Sequence, residues 1–355
     1  MVWAAASGME TLAFSLLVTA VLVWLASARV NWWGIGLLVG VGVWLRPDAI
    51  TLLGPLLWGA WFIPAELGQK LRRMVQTCVG VLAGFLPYLL FNWFTAGDVW
   101  PNTFFAKQAE YQILTEAPFL MRFVTLLGVP QVGVGVVLLP GVVYLLVQSF
   151  RERRWVVLGG VIWWVGYVGI FAARLPVTYQ HGRYLMPVIP IFVLWGLVGF
   201  GRWARPSSRQ LFARVLSRVW GILIPIVLLA FWGMGGQAFA RDVAVIESEM
   251  VLTAKWVATN TPEEAVIAAH DIGALGYFAE RDLLDLAGLV SPDVIPFIRD
   301  ETLLADYLDD FGADYLVTLR DWYPELERGL HVEFVTQQPY SPALGGENMV
   351  VYRWK

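Results

Sequence analysis

Long apolar runs dominate the first two thirds of the chain. They cover about residues 11–28, 33–45, 49–63, 75–94, 123–148, 155–173, 185–201 and 219–237. A helix crossing the hydrocarbon core of a bilayer needs ~20 residues, with a range of about 17–25. Six of these eight runs reach or approach that length. The two short ones, 33–45 and 49–63, are separated only by Arg46, Pro47 and Asp48. They read as a tight hairpin of short helices, partly re-entrant and shielded by protein. Gly36 and Gly40 have the spacing that lets a neighbouring helix come close.

From about residue 240 the pattern becomes that of a water-facing α/β domain. Residues 243–260 read as an amphipathic helix, and Thr261 to Glu264 open the next unit with a turn and helix-start signal. Short β-rich runs at 266–269, 283–286, 315–319, 331–335 and 349–352 predict strands, with a helix at 303–311. The expected organisation is therefore a membrane domain at 1–239 and a soluble α/β domain at 240–355.

Composition sharpens this division. Apolar residues make up 58% of the chain, against roughly 45–50% in soluble globules. Residues 1–239 hold 17 Lys and Arg against 7 Asp and Glu, a balance of +10, whereas 240–355 hold 8 against 21, a balance of −13. Two bodies in different solvents account for that split. The basic residues lie in short loops between apolar runs, so they do not form a nucleic-acid surface. A single cysteine, Cys78 inside an apolar run, excludes a disulfide framework and a cysteine-based metal site.

Orientation follows from the Lys and Arg positions. Loop 64–74 carries Lys70, Arg72 and Arg73; loop 149–154 carries Arg151, Arg153 and Arg154; loop 202–218 carries five arginines. These loops fall on one face, assigned to the cytoplasm. Loops 95–122 and 174–184, and everything after 237, fall outside. The same alternation puts Met1 outside with no positive n-region, which leads to the expectation that upstream spans are missing from this sequence.

The polar segments between the apolar runs carry the candidate chemistry. Arg174 to Tyr184 gathers two guanidinium groups, His181, Tyr179 and Tyr184 in one short hairpin. Arg183 can fork onto a phosphate, with His181 and Tyr184 as further donors; the alternative is snorkelling arginines and an aromatic belt. In loop 100–111, Lys107 can neutralise a phosphate, and Asn102, Gln108 and Tyr111 can bond hydroxyls; the alternative is a solvated connector. The two segments are read together as one anion site at headgroup depth. Arg46 and Asp48 are either functional or a structural ion pair, with Glu10 as a second partner for Arg46. Glu10 at the first span is also a natural helix-start carboxylate. In the soluble part, His270 and Asp271 stand at a strand end, where α/β sheets place ligands but where structural roles are common. His331 has no identifiable partner in the sequence.

Several of these segments occur in a familiar order. Ser7-Gly8-Met9-Glu10-Thr11, Leu45-Arg46-Pro47-Asp48, the run Pro101 to Lys107, and His181-Gly182-Arg183-Tyr184 followed by Pro187 and Pro190 resemble bacterial polytopic glycosyltransferases of the GT-C type. The arabinofuranosyltransferase-like and protein-mannosyltransferase-like enzymes are the most similar subgroup. Asp271 to Tyr277 and Asp285 to Pro292 look like the tail of the same proteins.

The resemblance implies a mainly α-helical polytopic membrane protein of about eight segments with a C-terminal extracytoplasmic α/β domain. It implies a hexosyl- or pentosyltransferase of the cell membrane that uses a polyprenyl-phosphate sugar and inverts the anomeric carbon. The acceptor would be an extracytoplasmic glycan or protein. Lys107, His181, Arg183 and Tyr184 would hold the donor phosphate; Arg46, Asn102, Gln108, Tyr111 and Tyr179 are substrate-binding candidates. Such enzymes carry their base in a first outer loop that this chain would lack, which leaves Glu10 and Asp48 as weak substitutes and the activity of the chain in doubt. No cofactor is certain from these residues, and a divalent cation is left open. The alternatives are a transporter or flippase of lipid-linked sugar, and a membrane-anchored carbohydrate-binding protein.

Overall fold

The structure, a computed structural model, describes residues 2–204 and 211–354. Arg205 and Arg209 of the basic loop, and Met1 with its expected outward placement, lie outside the described residues. The chain divides into two compact units. One comprises Met1–Val99 with Leu114–Gly236, and the other Trp100–Ile113 with Gln237–Lys355. They are called here the apolar unit and the sheet unit.

Helices account for the apolar unit. Among the described residues five helices are long and apolar enough to cross a membrane: Leu67–Ala96, Val134–Arg151, Trp155–Arg174, Met186–Trp203 and Arg214–Asn260. The runs at 33–45 and 49–63 give helices of only 11 and 10 residues, Trp32–Gly42 and Leu53–Phe62. At 1.5 Å per residue each extends about 15 Å, half of a hydrocarbon core. A 3₁₀ turn, Pro47–Leu52, joins them. Trp32–Gly42 lies directly against Leu67–Ala96, and glycine makes that approach possible. A Cβ on Gly36 or Gly40 would strike the carbonyl oxygens of Thr77 or Val81, and one on Gly80 that of Trp33.

Two expectations need correction. The run 123–148 is not one helix: Phe119–Gly128 stops, Pro130 sits in a short 3₁₀ turn, and Gly133 takes φ +68° before Val134–Arg151 begins. Proline removes a helical N–H and glycine permits the left-handed step, so an apolar stretch long enough to span is divided. Conversely, 243–260 is not a separate element. The helix Leu211–Val245 continues through a π-helical segment, Ile246–Val251, into Leu252–Asn260.

The sheet unit carries five strands: β1 Val266–Ala269, β2 Asp282–Asp285, β3 Tyr315–Leu319, β4 His331–Val335 and β5 Met349–Arg353. Their order is β2-β1-β3-β5-β4. β1 pairs parallel to β2 and β3, whereas β5 runs antiparallel to β3 and β4. Side-chain alternation gives the sheet two buried faces. Ala268, Leu316 and Val350 pack with Leu304 and Leu308 of the helix Glu301–Asp310. Ile267, Ala269, Val317 and Val351 pack with Ala254, Val257 and Leu275 on the other side. Asp300 caps the helix Glu301–Asp310 by accepting from the Thr302 and Leu303 amides.

Residues 100–113 depart from their expected role as a loop of the membrane domain. They form a helix, Asn102–Glu110, that packs on the turn Pro292–Phe297 inside the sheet unit. Its Ala106 is fully buried.

Candidate functional site

In the apolar unit a compact polar cluster forms where the short-helix hairpin turns. Pro47 opens the 3₁₀ turn and places Asp48 in its first positions. Arg46 meets Asp48 at two points, Nε to Oδ1 and Nη2 to Oδ2, both 3.0 Å. Its Nη1 reaches Glu10 Oε1 at 3.4 Å. The Arg46 side chain is only 8% exposed, against 18% for Asp48 and 38% for Glu10. A guanidinium so deeply enclosed needs its partners, because an unpaired charge there would keep its full desolvation penalty.

Further groups fix Asp48 from behind. The buried Tyr167 hydroxyl donates to the Asp48 carboxylate and lies 3.1 Å from the Tyr184 carbonyl oxygen. Thr51 donates to the Asp48 carbonyl at 2.7 Å and accepts from the Trp163 indole at 2.9 Å. Asp48 is thereby committed to structure. Glu10 is the more open carboxylate of the two acidic candidates.

The 174–184 segment supplies the other wall. Arg122 donates to the Ala172 carbonyl at 2.6 Å, satisfying the end of the helix Trp155–Arg174. Tyr179 begins a single helical turn, Tyr179–Gly182. His181 and Gly182 then take φ +58° and +67° in succession. Glycine does this freely; a histidine there costs about 1–2 kcal/mol. After this double left-handed step the Tyr184 ring faces Arg46. Tyr184 has guanidinium carbons on its ring from both sides of the cluster, Arg183 at 5.0 Å and Arg46 at 5.6 Å. Arg183 also donates to the Tyr184 hydroxyl at 3.0 Å and to the Met9 sulfur at 3.7 Å. Among the described residues no carboxylate pairs with Arg183. His181 lies beside the Trp3 ring, centroids 5.5 Å apart.

Glu10, Arg46, Asp48, Arg183 and Tyr184 are thus assembled, with His181 and Tyr179 on the adjoining turn. Asn102, Lys107, Gln108 and Tyr111 stand in the sheet unit, on or just after its helix Asn102–Glu110. Tyr167, Thr51 and Trp163 are missing from the sequence-based selection. They sit mid-run among apolar residues, and only their hydroxyl and indole groups hint at a polar partner.

The sheet unit holds a second polar cluster at the C-terminal end of β1. His270 Nδ1 lies 2.7 Å from the Tyr323 hydroxyl, and its Nε2 lies 3.5 Å from Glu110 Oε1. Trp322 stands edge-on to the imidazole at 5.2 Å. Burial works against a charge on His270, but the Glu110 bond and the carboxylates of Asp271 and Asp285 outweigh it, so the ring keeps its proton above the ordinary histidine range. Burial likewise pushes the Glu110 carboxyl up, yet bonds from His270 and Tyr111 hold it below its usual value. Asp271 is shifted upward by burial. Asp285, itself fully buried, accepts from the amides of Ala287, Leu289 and Val290 and so shapes the loop after β2. His331 lies 3.7 Å from Glu333 on the exposed strand β4. Among the described residues no group of three or more His, Cys, Asp or Glu is gathered as a metal-binding set.

Residues 241–352 match a domain of unknown function, DUF8728. Over 46 residues, 13% of this chain, the sequence is 37% identical to an uncharacterized calcium-binding protein of Schizosaccharomyces pombe. The matched part spans about a quarter of that relative, 24% of its length. No solved structure matches the chain.

Proposed function

We propose that the apolar unit is a membrane domain that binds the phosphate of a polyprenyl-phosphate sugar at Arg183, and that the protein transfers the sugar to a hydroxyl acceptor. The observation that carries this reading is the setting of Arg183. It is a half-buried guanidinium, held in place by the Tyr184 hydroxyl and ring, and among the described residues it has no carboxylate counter-ion. A planar fork of donors in such a place suits a phosphate oxygen. Arg46 differs, because Asp48 and Glu10 already neutralise it; it contributes by holding the Tyr184 ring.

The five long helices alone support a consistent topology. With loops 64–74 and 149–154 in the cytoplasm, residues 97–133, residues 175–185 and the chain after the last span fall on the outer side. The amphipathic helix Phe119–Gly128, whose Phe119, Leu120, Met121 and Val124 are exposed, then lies along the interface and does not cross it.

In the proposed transfer the bond from the anomeric carbon to the phosphate oxygen breaks as the acceptor oxygen bonds to that carbon. The polyprenyl phosphate leaves with the bonding electron pair, its charge met by Arg183. The acceptor hydroxyl gives its proton to a carboxylate, for which Glu10 is the open candidate in this chain. The test is transfer of radiolabelled sugar from a polyprenyl-phosphate sugar to a membrane glycan fraction in vesicles bearing the protein. Formation of a labelled product that Arg183→Ala abolishes supports the proposal. Movement of intact donor across the vesicle membrane, with no product formed, points instead to a flippase.

A further inference from the structure

Within the sheet unit, the helix Asn102–Glu110 is held by three kinds of contact. Its Ala106 enters a gap beside Gly288, which takes φ +69°; a Cβ on Gly288 would come within 3.6 Å of Ala106 and 2.8 Å of Ile295. Arg299 donates to the carbonyls of Ala109, at 3.3 Å, and Glu110 at the end of the helix. These are carbonyls that the helix itself leaves unbonded. The Glu110 side chain then turns to His270, whose other ring nitrogen faces Tyr323. The first two contacts are indifferent to pH near neutrality. The third is not.

Its position gives the pair significance. His270 follows β1 and Tyr323 follows β3, two adjacent parallel strands. The C-terminal edge of parallel strands is where α/β sheets receive ligands. Here residues 100–113 lie across that edge and leave the His270 side chain 17% exposed.

We infer that residues 100–113 are a proton-operated latch on the sheet unit, closed by the Glu110–His270 pair over the C-terminal edge of β1 and β3 and loosened when His270 loses its proton. The inference concerns the sheet unit alone and stands apart from the reading of Arg183. Lys107, on the latch itself, and Glu301, near Tyr323, also act on this cluster. With Glu110, Asp271 and Asp285 all acidic, loss of the His270 proton removes the cation bonded to the Glu110 side chain and leaves Lys107, and Arg299 on the Glu110 carbonyl, as the neighbouring cations among the described residues. Glu110 then stands among carboxylates, and its docking weakens.

The experiment is amide hydrogen exchange on the full-length protein in lipid nanodiscs, following peptides that cover 100–113. Rates are corrected for intrinsic exchange and measured from about pH 5 to well above the ordinary histidine value of roughly 6.5. Protection of these peptides is expected to fall several-fold as pH rises, while peptides from β3 and β5 stay constant. His270→Gln and Glu110→Gln, each keeping a hydrogen-bonding group, are expected to flatten the pH profile. Arg299→Ala lowers protection at every pH but preserves the profile, and Arg299→Lys restores part of the loss. A flat wild-type profile, or a full pH dependence retained in both His270→Gln and Glu110→Gln, overturns the inference. The two variants are independent, so failure of one to fold leaves the other decisive.

Discussion

Arg46 and Asp48 face each other across a tight turn with two parallel hydrogen bonds of 3.0 Å. Arg46 is buried and Asp48 partly so, and the Tyr167 hydroxyl donates to the same carboxylate. Removing Asp48 leaves the enclosed Arg46 with one longer contact, to Glu10 at 3.4 Å. Asp48→Ala is therefore expected to destabilise the apolar unit by about 3–5 kcal/mol. The double variant Arg46→Met, Asp48→Leu should recover most of that loss, because neither charge then remains to be desolvated. Thermal unfolding in detergent, read for the single and double variants side by side, checks this.

The contact of Trp32–Gly42 with Leu67–Ala96 depends on absent side chains. Gly80→Leu would drive its side chain into the Trp33 carbonyl and the Leu37 amide, backbone that cannot yield by a change of rotamer. A loss of about 1–3 kcal/mol or more is expected. Gly68→Leu, at a position of the same helix with open space around it, should be near neutral. The comparison separates packing from helix propensity, since both variants replace glycine within one helix.

Asp285 fixes the loop that follows β2 by accepting from the Ala287, Leu289 and Val290 amides. Asp285→Ala would leave three donors unmet, each at a cost of about 1–3 kcal/mol where water cannot replace the acceptor. Limited proteolysis is expected to cut at 286–291 in this variant and to spare the wild type.

The stability of the docked 100–113 segment should vary with pH in a defined way. His270 has a raised value in the folded state, so its contribution is complete below the unfolded value and is lost as pH rises through the folded one. Glu110 has a lowered value, so its contribution is present above the unfolded value and is lost as pH falls through the folded one. Resistance to proteolysis at 111–116 is expected to peak between these limits and to decline on both sides. Glu110→Gln should remove the decline on the acid side that belongs to Glu110.

The parts of this fold that depend on near neighbours were readable in the chain. Strands β1, β3, β4 and β5 follow from short β-branched and aromatic runs between turn residues, and the Arg46–Asp48 pair from two charges flanking one proline. The division of 123–148 at Pro130 and Gly133 was present in the residues but hidden by their apolar surroundings. Among the long-range partners, Glu10 of Arg46 was readable from its charge, and the uncharged ones were not. Tyr167 meets Asp48 across 119 residues and Tyr323 meets His270 across 53. Glu110 lies in a stretch whose polar residues read as a connector. Its helix is stabilised by packing on 292–297, and no local pattern records that contact.

The central claim is that Arg183 holds a lipid phosphate. Native mass spectrometry of the protein released from nanodiscs doped with a polyprenyl phosphate, with phosphatidylglycerol as the competing anionic lipid, tests it most directly. Wild type should retain the polyprenyl phosphate preferentially, Arg183→Lys should retain less, and Arg183→Ala should lose the preference while its melting temperature stays close to that of the wild type. Equal retention by wild type and Arg183→Ala would contradict the account.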